Sequence, residues 1–516
     1  MTRRTENGQI DITPGKSPTS NRYFWWGITL SVTLATILMA FPIESRSFEI
    51  DEVYELKHLS LSILDVAKDP DGFPPLFRWL LSFFILGSGE DMSRIFCVLA
   101  GVATVVVCGL LGRTIGGELV GFNASLIFAV SASQVAFGQL LRAYSLYTLA
   151  IAFTMLSGLW LSQKASRLNW ALFIVSSFLA MGVHYYSIYF LAVIWIFVLC
   201  NYAKDQYHVF FINAFLFALI CIPWLLCLRI DLSEPLPPEW INGFDLNRLA
   251  YLYLSLIQGK FLGPSQTEIL ESSRRDMLIT LAPWAIAGFF FAFVLFRKAI
   301  LNFRFGALAW FWIMLLVLPA FAGGVAMFIS STFGARYLAP LSVPFAIIIA
   351  CGMRWRGKSL PVFSTYGLIA LNLLSVLNRS LDPRYDRENY RQLVAEMTLY
   401  DPFPAVIVLS HYVAPAIHRE LNQHSPFCDL GLGGKEPDDW EQKTTQFIKM
   451  IGDRDKIFLV TTSRQGSEVT LRQYDRLISL LNAKSVSRIS NSTDLFIVKV
   501  EDIVRSLRNR VIKRDP

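Results

Sequence analysis

Apolar runs of about 20 residues recur along this chain, and that pattern restricts its possible folds more than any other feature. The first run, Tyr23–Ile43 (YFWWGITLSVTLATILMAFPI), carries no charged side chain, and about 20 apolar residues are what a helix needs to cross the hydrocarbon core. Others follow at roughly 92–112, 119–138, 143–162, 169–184, 186–202, 209–229, 277–296, 305–330, 337–353 and 360–378. Lipid offers no water to satisfy backbone N–H and C=O groups, so such segments pair their backbones internally, as helices. The expected architecture is an α-helical polytopic membrane protein with about 11 spans. Composition agrees: 53% of the 516 residues are hydrophobic, mean hydropathy is +0.44, and 40 Phe and 13 Trp suit lipid-facing surfaces and interfacial belts.

The short gaps between runs predict orientation. Those after even-numbered spans carry Arg113; Lys164 and Arg167; Lys204; Arg297, Lys298 and Arg304; and Arg354, Arg356 and Lys358. Together with the basic N-terminal tail (1–22) they make one positive side, which is expected to be cytoplasmic. No small-residue cleavage site follows the first run, so the tail reads as cytoplasmic and the run as a retained helix. An odd number of spans then places 379–516 outside, on a multi-pass protein of the plasma (inner) membrane. The net charge of +7 is spread over these gaps and the C-terminal quarter, whereas a nucleic-acid partner would want a concentrated basic face. Six of the seven cysteines lie in apolar segments and none is in a CxxC pattern, so neither a disulfide framework nor a zinc site is indicated.

Three parts are therefore expected: the tail 1–22, a transmembrane domain 23–378 with outer loops at 44–91 and 230–276, and a C-terminal extracytoplasmic domain 379–516. The second outer loop carries an apolar stripe, LNRLAYLYLSLIQGKFLG, that reads as a helix lying in the interface. In the C-terminal part, strand-like runs (AVIVLS, KIFLVTT, LFIVKV) alternate with helical ones (ENYRQLVAEM, APAIHREL, TLRQYDRLISLLNAK), the pattern of a small α/β domain. It has no GxGxxG or P-loop pattern, which argues against a nucleotide site there.

Residues suited to chemistry collect on the expected outer side. Ten of the 40 acidic residues fall between 44 and 91, and Asp51-Glu52 follows the first span directly. Carboxylates are costly in hydrocarbon and belong at the interface or in a cavity. Gly72-Phe-Pro-Pro-Leu76 is a rigid bend. Gln139, Arg142 and Tyr144 stand between the third and fourth spans, His184-Tyr185-Tyr186 between the fifth and sixth, and Gly334, Arg336 and Tyr337 before the tenth. An arginine at the rim of a bundle asks for a carboxylate or a phosphate. Plainer readings stand beside these: a solvated turn for Asp51-Glu52, snorkelling arginines, and an interfacial belt residue for His184.

Taken together, FEIDEVY, FPPLFRWLL, QLLRAYSLYTLA, HYYSIYFL and FGARYLAPLSVPF resemble motifs of the GT-C membrane glycosyltransferases, above all the dolichyl-phosphate-mannose protein mannosyltransferase and lipid A aminoarabinose transferase superfamily. The likeness runs through 23–378. It departs at Phe73, where many aminoarabinose-type members carry Lys or His before the paired prolines. The resemblance implies an inverting enzyme that moves one sugar from a polyprenyl-phosphate donor to a glycan, lipid or protein acceptor at the outer face of the bilayer. By position, Asp51 is the implied base and Glu52 its neighbour that orients the acceptor or the base. Arg336 and Arg142, with Tyr337, Tyr144 and Arg78, are implied at the donor phosphate, and His184, Tyr185 and Lys57 line the acceptor side or cavity. No cofactor is expected, and dependence on a divalent metal stays open. A polysaccharide polymerase or ligase using a lipid-diphosphate oligosaccharide, and a transporter, are the alternative functions. The absence of an internal repeat and the crowding of charge at one interface speak against the transporter.

Overall fold

The computed structural model describes residues 3–4, 10–11, 18–41, 48–59, 61–68, 73–85, 92–202, 206–233, 246–264, 274–302, 307–329, 334–353, 355, 359–382, 385, 390–408, 413–429, 446–447, 449–451, 456–462, 484–490 and 493–499. Gly72, the Pro-rich stretch SEPLPPEW beyond Ser233 and most of TLRQYDRLISLLNAK lie outside these residues. The chain forms two compact units: Met1–Ile43 with Glu55–Gly263 and Leu278–Leu381, and Glu44–Tyr54 with Pro264–Met277 and Asp382–Pro516.

The first unit is helical. Among the described residues, six helices are long and apolar enough to cross a membrane: Arg22–Ala40, Ser93–Gly116, Tyr144–Gln163, Ile279–Leu301, Leu308–Val325 and Leu360–Leu381. Glu118–Val130 and Ala132–Gly138 form a bent pair, turned by 62°, that passes the same test when taken together, as a broken span or a re-entrant loop. Five further apolar helices are shorter, among them Arg167–Val183 and Ser187–Asn201. The expectation of about eleven spans thus divides into long helices and short ones. The runs 169–184 and 186–202 are separated by the His184–Tyr186 turn and form helices of 17 and 15 residues, at and below the lower end of about 17–25 residues for a crossing.

Lipid tails are as apolar as leucine, so the helices associate through close packing and hydrogen bonds. Helices Ser93–Gly116 and Glu118–Val130 are joined through Gly117 at φ 84°, a conformation that favours glycine. They meet backbone to backbone: a Cβ on Gly121 would stand 2.6 Å from the Gly109 carbonyl oxygen, and one on Gly112 would lie 3.0 Å from Gly121 Cα. The break at Ser131 frees backbone donors at the start of the second half-helix. Asn372, 5% exposed, satisfies one of them: its Oδ1 accepts from Ala132 N–H at 3.1 Å. Its Nδ2 donates to the carbonyls of Ile257 and Leu368. Gln139 ties the ends of the first and last spans in the same way. Its Nε2 donates to the Leu38 and Phe41 carbonyls at 3.0 Å, and its Oε1 accepts from Arg379 Nε at 3.0 Å.

The second unit contains a five-stranded sheet ordered Phe427–Asp429, Val406–Val408, Lys456–Thr462, Thr493–Lys499, Lys484–Ser490; the first three run parallel and the last two add an antiparallel hairpin. Helix Tyr390–Tyr400 presents Tyr390, Leu393, Val394 and Met397 to its core, the i, i+3, i+4, i+7 stripe of an amphipathic helix. Ile50 and Val53, from the first outer loop, are buried in that same core. The sequence expectation drew this domain from residue 379 onward; the contacts add 44–54 and 264–277, because the apolar side of the segment after the first span is covered there.

Gly121→Ala is expected to lower the thermal midpoint in detergent, with overpacking costing about 1–3 kcal/mol. Gly324→Ala, where nothing lies within 4 Å of the new methyl, should leave it unchanged or slightly raised. Equal midpoints for the two variants would refute close backbone packing at Gly121.

Candidate functional site

Helix Ile50–His58 begins with the acidic pair. Negative side chains are favoured in a first helical turn, and Glu52 uses its charge there directly. Its Oε2 accepts the Glu49 backbone N–H at 2.8 Å, the return bond of a capping box. Glu52 is fully buried, whereas Asp51 is half-buried. Asp51 and Glu55 are four residues apart and share a helix face. Lys57 is exposed in the last turn, where a cation suits the helix dipole. Nearby in the same unit as Asp51, Tyr54 has its pKa raised by burial and further by the charge of Asp429.

Glu55 was not among the residues singled out from sequence, yet it organises the cluster. Its Oε2 accepts from Arg78 Nε at 2.8 Å and its Oε1 from Arg142 Nη1 at 2.6 Å, with all three side chains buried. These distances are those of charge-assisted bonds. Arg78 comes from the short helix Leu76–Ile85 that follows the paired prolines, and Arg142 from the turn between Ala132–Gly138 and Tyr144–Gln163. The carboxylate that Arg142 requires is therefore Glu55, 87 residues away in sequence.

Arg142 also stacks on an aromatic cage, with its Cζ 5.0 Å from the Phe73 ring centre, a cation–π contact. Phe73 thus supplies an aromatic face to a guanidinium. Phe73 meets His184 edge-on at 5.1 Å and Tyr337 at 6.3 Å. His184 lies 5.4 Å from Tyr337, 6.2 Å from Tyr144 and 5.7 Å from Tyr186, and stacks on Tyr147 at 4.6 Å. Arg336 sits over Tyr337 at 5.6 Å, and both Arg142 and Arg336 act electrostatically on the His184 ring. Residues far apart in sequence and expected only to share one side of the membrane are thereby brought into one cluster. Tyr185 is half-buried in the turn beside it. Tyr147 stands within the QLLRAYSLYTLA run but, like Glu55, was not singled out from sequence, because nothing local marks which side chain of a segment will meet another segment.

His184 Nδ1 accepts the Tyr186 backbone N–H at 3.1 Å. His184 Nε2 and Tyr147 Oη are buried and have no hydrogen-bond partner, at a cost on the order of 1–3 kcal/mol for each. Among the described residues there is no group of three or more His, Cys, Asp and Glu able to hold a metal. A groove of about 440 Å³ opens at a different place, beside Ser166, Arg167, Trp170, Tyr202 and Asn213. It contains none of the clustered residues.

Removing one partner of a buried ion pair leaves an uncompensated charge, at about 3–5 kcal/mol. Glu55→Ala is accordingly expected to lower the thermal midpoint strongly and Glu55→Gln less, since the amide still accepts a hydrogen bond. A midpoint for Glu55→Ala equal to the parent's would show that the carboxylate does not hold the two arginines.

No family model matches the sequence, and no curated protein matches it. Solved structures do. ArnT from Cupriavidus metallidurans in the apo state aligns with a TM-score of 0.53, over 93% of this chain and 98% of that one, at 11% identity. ArnT from the same organism bound to undecaprenyl phosphate gives 0.51, over 92% and 98%, again at 11% identity. ArnT is an aminoarabinose transferase of the GT-C superfamily, and this chain is similar to it in fold.

Proposed function

We propose that this protein is an inverting glycosyltransferase of the plasma membrane. It takes a single sugar from a polyprenyl phosphate and passes it to an envelope acceptor (a glycan, lipid or protein) at the outer face. The observation that carries the reading is the cluster itself: Arg142 held by Glu55 and stacked on Phe73, Arg336 over Tyr337, and aromatic rings around them. Guanidinium groups fixed before the reaction bind phosphate in bidentate fashion. The fold shared with a transferase solved with undecaprenyl phosphate supports a lipid-linked donor. A water-soluble nucleotide sugar would remain on the cytoplasmic side of the barrier.

In the proposed step the Asp51 carboxylate takes the proton of the acceptor hydroxyl as that oxygen attacks the anomeric carbon. The new glycosidic bond forms while the bond from that carbon to the phosphate oxygen breaks, and the lipid phosphate leaves with the electron pair. Its charge grows toward the transition state, so preplaced arginines stabilise that state more than the ground state. Arg336 and Arg142 carry this role, with Arg78, Tyr144 and Tyr337 around them. Asp51 lies one helical turn before Glu55, and one carboxylate suffices for single-step inversion. Glu52, committed to capping Glu49, acts by fixing that turn. Lys57, Tyr185 and His184 are assigned to the acceptor side.

Orientation belongs to the same proposal, with the N-terminus in the cytoplasm and the C-terminal domain outside. A phosphatase fused after Pro516 should be active, and a reporter that works only in the cytoplasm, fused at the same place, should be silent; the reverse pattern would overturn the assignment.

Asp51→Asn keeps shape but cannot take a proton, so turnover of a polyprenyl-phosphate sugar should fall by about 10²–10⁴-fold with donor affinity nearly unchanged. Glu52→Gln retains an acceptor for the Glu49 N–H and should cost much less. Parental rates in both variants would remove this pair from catalysis. Consumption of a lipid-diphosphate oligosaccharide but not of a lipid-monophosphate sugar would favour a polymerase or ligase instead.

A further inference from the structure

The unsatisfied pair in the cage points to a binding role that neither sequence motif nor fold assigns. Because His184 Nδ1 accepts from the Tyr186 N–H, the neutral ring carries its proton on Nε2, an assignment made from the hydrogen bond. That Nε2–H, on a side chain 3% exposed, has no acceptor, and neither does the hydroxyl of Tyr147, whose side chain is fully buried. The two rings lie nearly parallel, 19° apart, with centres 4.6 Å apart. Packing alone does not call for either polar atom: Phe190 meets Tyr147 edge-on at 6.1 Å, and a phenylalanine would fill the Tyr147 position equally well.

The surroundings select the missing acceptor. Arg142 and Arg336 both act on the imidazole, so an oxygen that takes these donors is favoured when it bears negative charge. A neutral sugar hydroxyl would gain less from that field than an anionic oxygen. Nε2–H can only donate, and a hydroxyl beside a guanidinium donates to an anion more strongly than to a neutral group.

We propose that His184 Nε2–H and Tyr147 Oη–H are a paired donor site for a phosphate oxygen of the polyprenyl phosphate, standing beside Arg142 and Arg336. The assignment rests on the glycosyltransferase reading above and deepens it. With its proton fixed on Nε2, His184 binds and positions the phosphate and carries no proton in the reaction. Tyr147, whose buried hydroxyl has no hydrogen-bond partner, is a ligand-binding group.

The test uses the full-length protein in nanodiscs and three lipids: a polyprenyl monophosphate, the corresponding polyprenol, and a polyprenyl-phosphate sugar. Tyr147→Phe should weaken binding of the monophosphate by about ten- to hundredfold, the range of a hydrogen bond to a charged group, and leave polyprenol binding unchanged. Its thermal midpoint should equal or exceed the parent's, since a buried unsatisfied hydroxyl is gone; a packing role would move stability instead. His184→Leu should behave similarly in binding, and His184→Gln, which keeps an amide donor, should stay within about threefold of the parent.

If the Tyr147 and His184 variants bind the monophosphate like the parent while Arg336→Ala does not, this inference fails and the glycosyltransferase reading survives. If glutamine binds as weakly as leucine at position 184, the Nε2–H donor role is refuted. A defect seen only with the glycosylated lipid would move the pair to the sugar and overturn the phosphate assignment. A parent protein that binds monophosphate no better than polyprenol would sink both readings.

Discussion

Glu55 between Arg78 and Arg142 is the interaction on which the rest of the cluster depends. Burying three charges is expensive, and the arrangement persists because both oxygens of one carboxylate are engaged at 2.6 and 2.8 Å. Arg142, held by its Nη1, lies over Phe73, and Phe73 in turn abuts His184 and Tyr337. The paired prolines matter here through geometry. They restrict the backbone just before helix Leu76–Ile85, so that Phe73 and Arg78 are offered to the cluster from opposite ends of a stiff segment.

The helical unit meets the demands of lipid in two ways. Glycines at 109, 112 and 121 let backbones approach within van der Waals distance, and amide side chains satisfy backbone groups where a helix stops. Asn372 covers the break at Ser131, and Gln139 joins the carbonyl ends of the first span to Arg379. That second device lies three residues before Arg142. The bend after Ser131 and the Gln139 clamp thus fix the turn from which Arg142 reaches Glu55.

Much of the architecture was legible in sequence. The apolar runs marked the helices: 169–184 and 186–202 correspond to Arg167–Val183 and Ser187–Asn201 on either side of the His184–Tyr186 turn, whereas 119–138 is bent at Ser131, which sequence did not indicate. In the C-terminal part, AVIVLS and KIFLVTT contain two of the strands, LFIVKV overlaps a third, Thr493–Lys499, and APAIHREL contains helix Ala414–Glu420. Strand Lys484–Ser490 (KSVSRIS) was missed because its polar residues show no apolar alternation, and its position comes from pairing with Thr493–Lys499. Phe427–Asp429 is three residues long and lies parallel to Val406–Val408, too short for any period to register.

For the cluster, sequence determined which residue types could serve: arginines that must find an anion, aromatic residues at a membrane rim, and an acidic pair directly after the first span. Those follow from the cost of charge in lipid, which acts locally and leaves marks in composition. Only the tertiary structure decided who meets whom. Glu55 was one of ten acids in a loop until Arg78 and Arg142 closed on it, and Tyr147 was one more tyrosine on an apolar helix until His184 stacked on its ring. Ile50 and Val53 likewise looked like part of a free loop until the core formed with Tyr390 and Met397 covered them. The physical reason is the same in each case. Desolvation and pairing energies depend on distances between segments tens to hundreds of residues apart, and no local period or motif records those distances.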